Sequence, residues 1–381
     1  MKSTLLVHIP KTGGTTLDDI LGEEFDPDLA LRRVQHDSGI DQWERLQDPR
    51  FQYVSGHFSS GAIDFARFEH RITVLRPPLE QIASTLRYSE TYFPDSESVR
   101  LTRLGAWRHD IFGLYFAPGF DLLRYIAERQ YGVAVWLHDY ADPCTLNGAL
   151  ETLERFNRVL NFHQLESEIK RLIMELGLTP RADLPRHRSY RYEPDLERAQ
   201  ALLTDFDTSF YKRAQKRFRK LPADIDLAYE RYREGFCAAR GLRIEPLASA
   251  ELPLFQPIGQ GWHPAERLEN GRVFRWASRV DPGLDLAIAQ PGTYVVTAYV
   301  HPHQCTGLGL RAAGEFSGAK AAVEVSERQG VTVLRARVVL PRADWLRLSF
   351  SSEKAGAETG AADLLGRTFV LGRVLVRREA Q

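Results

Sequence analysis

Two hydrophobic patterns divide this chain. Up to about residue 245, short apolar runs at 5–9, 53–54, 72–75 and 159–162 alternate with longer segments whose apolar residues recur every three to four positions. Those segments cover 79–92, 120–131, 147–156, 164–176, 193–203 and 207–219. Short unbroken runs predict buried strands and the longer segments predict helices, so the alternation predicts a largely parallel sheet covered by helices. After Gly241 the period changes. Pro246, Pro253, Pro257, Gly259 and Gly261 form a connector, and 294–300, 331–340, 345–351 and 369–376 then alternate apolar with polar residues. That texture predicts strands of an all-β sandwich. The expected organisation is an α/β domain over 1–245 and a β-sandwich accessory domain over 250–381.

Composition narrows the function classes. A length of 381 residues fits about two domains. Fifty Lys and Arg balance fifty Asp and Glu, which argues against a nucleic-acid binder and leaves room for a local basic cleft. No segment approaches the roughly 20 apolar residues that span a bilayer, and no leader-like pattern precedes the first strand. Cys144, Cys237 and Cys305 lie too far apart for a metal motif or a disulfide framework. A cytoplasmic protein without a resident metal is expected.

The candidate chemistry begins directly behind the first strand, in His8-Ile9-Pro10-Lys11-Thr12-Gly13-Gly14-Thr15-Thr16-Leu17. Glycines at 13 and 14 let backbone N–H groups approach an oxyanion, Thr12, Thr15 and Thr16 add hydroxyls, and Lys11 adds a charge. A helix starting near Gly14 or Thr15 would point its unpaired N–H groups and its positive dipole end at the same anion. In the common nucleotide-triphosphate loop Lys follows the last glycine; here it precedes both.

This order resembles the 5′-phosphosulfate loop of sulfotransferases that use 3′-phosphoadenosine 5′-phosphosulfate (PAPS). The wording is most similar to the heparan sulfate 2-O- and 6-O-sulfotransferase branch and its bacterial relatives. The resemblance implies a P-loop-like parallel sheet, PAPS as donor, 3′,5′-bisphosphate (PAP) as product and no metal requirement. In that family a strand ending in Leu-Arg-Asp-Pro, followed by a helix bearing Ser, binds the 3′-phosphate. Leu75-Arg76-Pro77-Pro78 and Ser84 match it, with Pro77 in place of the usual Asp and Gln81 in place of the usual Arg. An Arg fork suits bidentate phosphate binding. The run 72–75 leads to Arg76, whereas nucleotide triphosphatases usually carry a Mg²⁺-binding Asp on a core strand.

Between these clusters, Gly56-His57-Phe58 resembles the family segment that carries the catalytic histidine. Transfer to a hydroxyl needs a base for the acceptor proton, and His57 is the candidate. His36 is its main rival, and Asp18 and Glu80 satisfy the same chemistry. The segment 156–168 resembles the family's late core strand and helix. Arg186 and Arg188 lie in a basic loop that, in relatives, closes over the nucleotide; a solvated loop is the other reading. Tyr92, Trp107, Arg108, His109, Phe112, Tyr115 and Phe116 either line an acceptor cleft or pack a domain edge.

Gly261-Trp262-His263-Pro264 and Gly271-Arg272-Val273-Phe274-Arg275-Trp276 resemble a module found beside surface-polysaccharide enzymes. Trp262 and Trp276 serve either the sandwich core or a sugar contact, with the core favoured. The second domain is expected to position a carbohydrate acceptor or to stabilise a homodimer. The expected function is sulfuryl transfer from PAPS to a hydroxyl of a sugar or glycan. The alternatives are a P-loop small-molecule kinase and a non-catalytic glycan-binding protein.

Overall fold

The structure, a computed structural model, describes residues 2–34, 44–92, 111–118, 144–184, 195–256, 258–277, 282–303, 305–354 and 368–380. They fall into two compact units, Met1–Glu168 with Arg186–Pro222, and Ile169–Pro185 with Ala223–Gln381.

In the first unit, strands β1 (Thr4–Val7), β2 (Ala30–Val34), β3 (Tyr53–Gly56), β4 (His70–Leu75) and β5 (Arg158–Asn161) form one sheet. Every pairing is parallel and the order is β2-β3-β1-β4-β5. β1 and β3 are buried at all four positions, which accounts for their unbroken apolar runs. The helices are α1 (Gly14–Gly22), α2 (Pro78–Tyr92), α3 (Ile111–Tyr115), α4 (Leu146–Glu154), α5 (Leu165–Leu176), whose residues from Ile169 on belong to the second unit, α6 (Leu196–Leu202) and α7 (Asp205–Ala214). Thr145, Asp195 and Thr204 start α4, α6 and α7 by accepting from the N–H groups of Gly148, Arg198 and Asp207. From the central strand β1 the chain leaves toward β2, and β4 lies on β1's other side. The carboxyl ends of β1, β3 and β4 therefore border a topological switch point, where open parallel sheets bind ligands.

One open reading is decided here and one strand is added. Phe112, Tyr115 and Phe116 do not line a cleft: all three are buried, and Phe210 stacks on Phe112 and Phe116 at 4.9 and 5.0 Å. The Asp207 carboxylate fixes the start of α3 by accepting from the N–H groups of Ile111 and Phe112 at 3.0 and 2.9 Å. Strand β2 was not visible in the sequence because Arg32 and Arg33 interrupt its apolar run. The segment 120–131, Trp107, Arg108 and His109 lie outside the described residues.

The second unit carries β6 (Ser249–Glu251), β7 (Glu266–Arg267), β8 (Val273–Trp276), β9 (Gly283–Ile288), β10 (Gly292–Pro302) and β11 (Cys305–Gly314), followed by β12 (Ala322–Arg328), β13 (Val331–Leu340), β14 (Asp344–Lys354) and β15 (Phe369–Arg378). One sheet runs β12-β13-β10-β15-β8-β7 with β6 beside β15, the other β11-β14-β9, with antiparallel pairing throughout. Tyr294, Val296, Ala298 and Val300 of β10 share one core with Leu284, Leu286 and Ile288 of β9 and Leu346, Leu348 and Phe350 of β14. The period of two in these strands is this shared core. Trp262 belongs to it: its Nε1–H donates to the Gly283 carbonyl at 2.7 Å and its ring meets Phe350 and Phe369 edge-on. Trp276 is half-buried.

The connector is part of this unit. Ile244, Leu254 and Ile258 are in the core, β6 pairs with β15, and the buried Arg275 guanidinium donates to the carbonyls of Leu254, His263, Gln256 and Phe255 at 2.6–3.4 Å. Helix α8 (Ile225–Arg240) packs on β9 and β14, with the Phe236 and Trp345 rings stacked at 6.0 Å. The unit therefore takes in residues ahead of 250, Ile169–Pro185 and Ala223 onward, with α8 covering part of the outer face of the β9–β14 pair.

On that outer face Asp285 and Arg347 are cross-strand neighbours, with Arg347 Nε donating to Asp285 Oδ1 at 3.1 Å and its Nη1 paired with Asp183. Asp285 Oδ2 is buried without a partner. Burial pushes the Asp285 pKa up to about 6 from 3.8, against the opposing charge of Arg347. The folded state thus binds the proton more tightly than the unfolded chain, so stability falls as pH rises from about 4 to about 6. Asp285→Asn should flatten that slope, worth about 2–3 kcal/mol at neutral pH, in thermal unfolding of the whole chain measured from pH 4 to 7.

Candidate functional site

The loop after β1 is shaped by backbone geometry that its sequence permits. Lys11 has φ 65° and Gly13 has φ 84°, so the chain turns through the left-handed region twice before α1 begins. Both glycines are also required by space. A Cβ at Gly13 would sit 2.4 Å from Leu165 Cδ2, and one at Gly14 would sit 2.0 Å from Cδ2 of the His8 ring. Thr12 is fully buried and its hydroxyl donates to the Ile9 carbonyl at 2.8 Å, so this side chain closes the turn instead of facing an anion. Thr16 is nearly buried, Thr15 is half-buried, and Gly13 caps α1 without a side chain. The first turn of α1 therefore offers backbone N–H groups at its positive end.

Helix α2 supports the loop along one face. Gln81 Nε2 donates to the Pro10 carbonyl at 2.9 Å, and one and two turns on come Ser84 and Tyr88, the latter with the Lys11 ammonium 4.2 Å above its ring. Gln81 and Tyr88 were not foreseen as partners of the loop, although 81, 84 and 88 share helical spacing. Gln81 Oε1 is buried and unpartnered. At the end of β4, Arg76 Nη1 donates to the Lys11 carbonyl at 3.1 Å, its guanidinium lies 4.2 Å over Phe162, and its Nε is 3.4 Å from Glu80 Oε2. Burial lowers the Arg76 pKa and Glu80 opposes the shift, so the side chain stays a cation.

His57 follows β3 and meets the end of β1. Its Nδ1 lies 2.5 Å from the His8 carbonyl, and the two imidazoles are in contact, their centroids 4.3 Å apart and their planes tilted by 39°. Only a protonated Nδ1 donates to a carbonyl, so the neutral ring carries its lone pair on Nε2. The His8 pKa is lowered well below the usual value by burial first and by His57 second.

The rival bases are engaged elsewhere. Asp18 is buried and accepts from Tyr53 Oη, Ser55 Oγ, Arg32 Nη2 and Arg33 Nε. Despite burial, the two arginines hold its carboxyl far below the usual range, which makes it a weak base. Glu80 lies between Arg76 and His163, whose Nε2 is 3.1 Å from Glu80 Oε1. His36, Arg186 and Arg188 lie outside the described residues. The structure thus brings Lys11, Gly13, Gly14, Thr15, Thr16, Arg76 and His57 to one edge of the first unit's sheet, with Ser84 on the adjacent helix. A cavity of about 180 Å³ lined by Ala83, Leu86, Arg87, Glu90, Asp195 and Arg198 is separate from that edge.

No family model matches the chain, and no curated protein matches it. Among solved structures it is similar to a carbohydrate-binding module of a Cellvibrio mixtus lichenase solved with cellotriose, at 10% identity, over 36% of this chain and 100% of the module, with a TM-score of 0.23. A xylan-binding domain from Paenibacillus barcinonensis is 13% identical over 36% of this chain and 97% of its own, with a TM-score of 0.24. A two-domain esterase active on acetylated mannans is 10% identical over 100% of this chain and 91% of its own, also at 0.24. Likeness at this level assigns neither a fold nor a ligand. Among the described residues no helix is long and apolar enough to cross a membrane.

The glycine contacts set a stability test. Gly14→Ala should cost about 1–3 kcal/mol in denaturant unfolding, because the His8 ring must move. Gly235→Ala, on α8 with open space around it, should leave stability unchanged or raise it by up to about 1 kcal/mol.

Proposed function

We propose that the first unit is a sulfotransferase that uses PAPS to sulfate a hydroxyl of a sugar or glycan. One observation carries the reading: a lysine-before-glycine loop at a helix N-terminus, an arginine at the next strand end and a tautomer-fixed histidine converge on one sheet edge. The donor set fits a ligand with two separate anionic groups, because Lys11 with the α1 N-terminus and Arg76 with Ser84 form two cationic or donor-rich patches. When bound, PAPS supplies an activated sulfuryl group and leaves as PAP.

In this mechanism the backbone N–H groups at Gly13, Gly14 and Thr15 and the hydroxyls of Thr15 and Thr16 orient the 5′ end, while the Thr16 N–H holds the Gly13 carbonyl and Thr12 holds the turn from beneath. Lys11 leaves the face of Tyr88 to neutralise charge developing on the departing phosphate oxygen. Arg76 and Ser84 bind the 3′-phosphate. His57 accepts the acceptor hydroxyl's proton at Nε2, and the His8 carbonyl stabilises the imidazolium through Nδ1–H. Preorganised charge and general base catalysis together supply the rate.

We assign the sandwich unit to acceptor positioning, with the cytoplasm as compartment, where three unpaired thiols such as Cys144, Cys237 and Cys305 are the norm. Lys11→Ala should suppress turnover more than it weakens PAP binding, and His57→Ala should abolish turnover, about 10²–10⁴-fold, with PAP binding nearly intact. Calorimetry with PAP and transfer of radiolabelled sulfate to a panel of sugars and glycans check both. Mg²⁺-dependent ATP consumption without sulfate transfer would instead identify a kinase.

A further inference from the structure

His8 opens the loop motif without a part in the anion-binding role, and it has two contacts that tie the motif to the base. Its carbonyl receives His57 Nδ1–H at 2.5 Å, and its ring lies between Gly14 and the His57 imidazole. On one side the fit is so close that a methyl group at Gly14 would overlap the ring; on the other the His57 imidazole lies against it, with 4.3 Å between ring centroids and a 39° tilt. The ring is therefore a wedge of fixed thickness between the start of α1 and the histidine that follows β3.

We infer that His8 is a positioning residue: its ring sets the spacing between the anion-holding loop and His57, and its carbonyl sets which nitrogen of His57 takes the acceptor proton. The inference rests on the reading of His57 as the base. A wedge of this kind works only while it is neutral, since two stacked imidazolium rings repel each other. The groups around His8 act in both directions. His57, Arg33 and Lys11 disfavour its charge, Asp18 favours it, and burial disfavours it most. Asp18 is itself neutralised by Arg32 and Arg33, which leaves the balance on the neutral side.

Carried into catalysis, the arrangement directs the proton to Nε2 of one ring. The acceptor oxygen would bond to the sulfuryl group as its O–H bond breaks, the bond from sulfur to the 5′-phosphate oxygen would break with that oxygen keeping the electron pair in PAP, the proton would go to His57 Nε2, and the positive charge would lie across His57 and the carbonyl of residue 8. Removing the wedge leaves the carbonyl in place but lets the His57 ring tilt, so both the tautomer and the distance from the loop are lost. Misplacement of about 1 Å is enough to cost a reaction about 100-fold.

The test is nitrogen-15 imidazole spectroscopy of the whole protein from pH 4 to 9, with PAP calorimetry and sulfate transfer beside it. The wild type should show His57 as the Nδ1–H tautomer and His8 still neutral when His57 has titrated. His8→Ala should mix the His57 tautomers and lower kcat about 100-fold with a smaller change in PAP affinity, and His8→Phe, which keeps a ring of similar thickness, should restore both. A wild-type His57 in the Nε2–H form overturns the inference even if no variant folds. So does a folded His8→Ala protein with an unchanged tautomer, or a His8→Phe protein that behaves like His8→Ala. The tautomer is read without any turnover, so absence of sulfate transfer counts against the proposed reaction and leaves the positioning role to be decided by the spectra.

Discussion

The seating of α1 depends on one buried carboxylate. Asp18 lies one turn into the helix and accepts from Tyr53 and Ser55 of β3 and from Arg32 and Arg33 of β2, so a single side chain ties the helix to two strands of the sheet. Asp19 takes further donors from the same two arginines. Removing one partner of such a group leaves a buried charge uncompensated, which typically costs about 3–5 kcal/mol. Part of this sheet edge inherits its position from that lock. The start of α1 fixes Gly14, Gly14 presses on His8, and His8 holds His57. The arginines and aspartates that do this resemble a solvated charge run in the sequence, and their burial appears only when β2 folds beside β3.

Much of the first unit could be read from its pattern. The runs at 5–9, 72–75 and 159–162 fall on β1, β4 and β5, because strands buried on both faces leave continuous apolar stretches. The loop motif carries its own instructions, since two adjacent glycines answer to two crowding contacts, with Leu165 and with the His8 ring, that a larger residue would have to displace. What stayed hidden is tertiary. Gln81 was noticed as a departure from a familiar arginine, yet its amide holds the Pro10 carbonyl, a contact between residues 71 apart. Tyr88 under Lys11 and Asp207 at the start of α3 are of the same kind: polar or aromatic side chains whose partners lie far along the chain, with no local period to announce them.

The second unit reads differently for a physical reason. Its long strands β10, β13 and β15 alternate cleanly because one face meets a core and the other meets water, and they were visible. Its entry was not. Proline and glycine normally mark a spacer, but here they thread a segment whose apolar residues at 244, 254 and 258 complete the sandwich core. Helix α8 leaves little trace in the sequence for a related reason: its charged residues are dense, and its buried stripe is only Ile225, Tyr229, Arg233 and Cys237.

Arg275 has a consequence for how this protein can change over generations. It grips the segment from Leu254 to His263 through main-chain carbonyls, which every amino acid provides. The side chains along that path are thereby released from specifying it, and substitutions there can accumulate as long as the apolar anchors stay. Position 275 has no such freedom, since lysine presents one point of charge where the guanidinium presents a fork. The evolutionary constraint on a ten-residue detour is thus concentrated in one codon of a neighbouring strand.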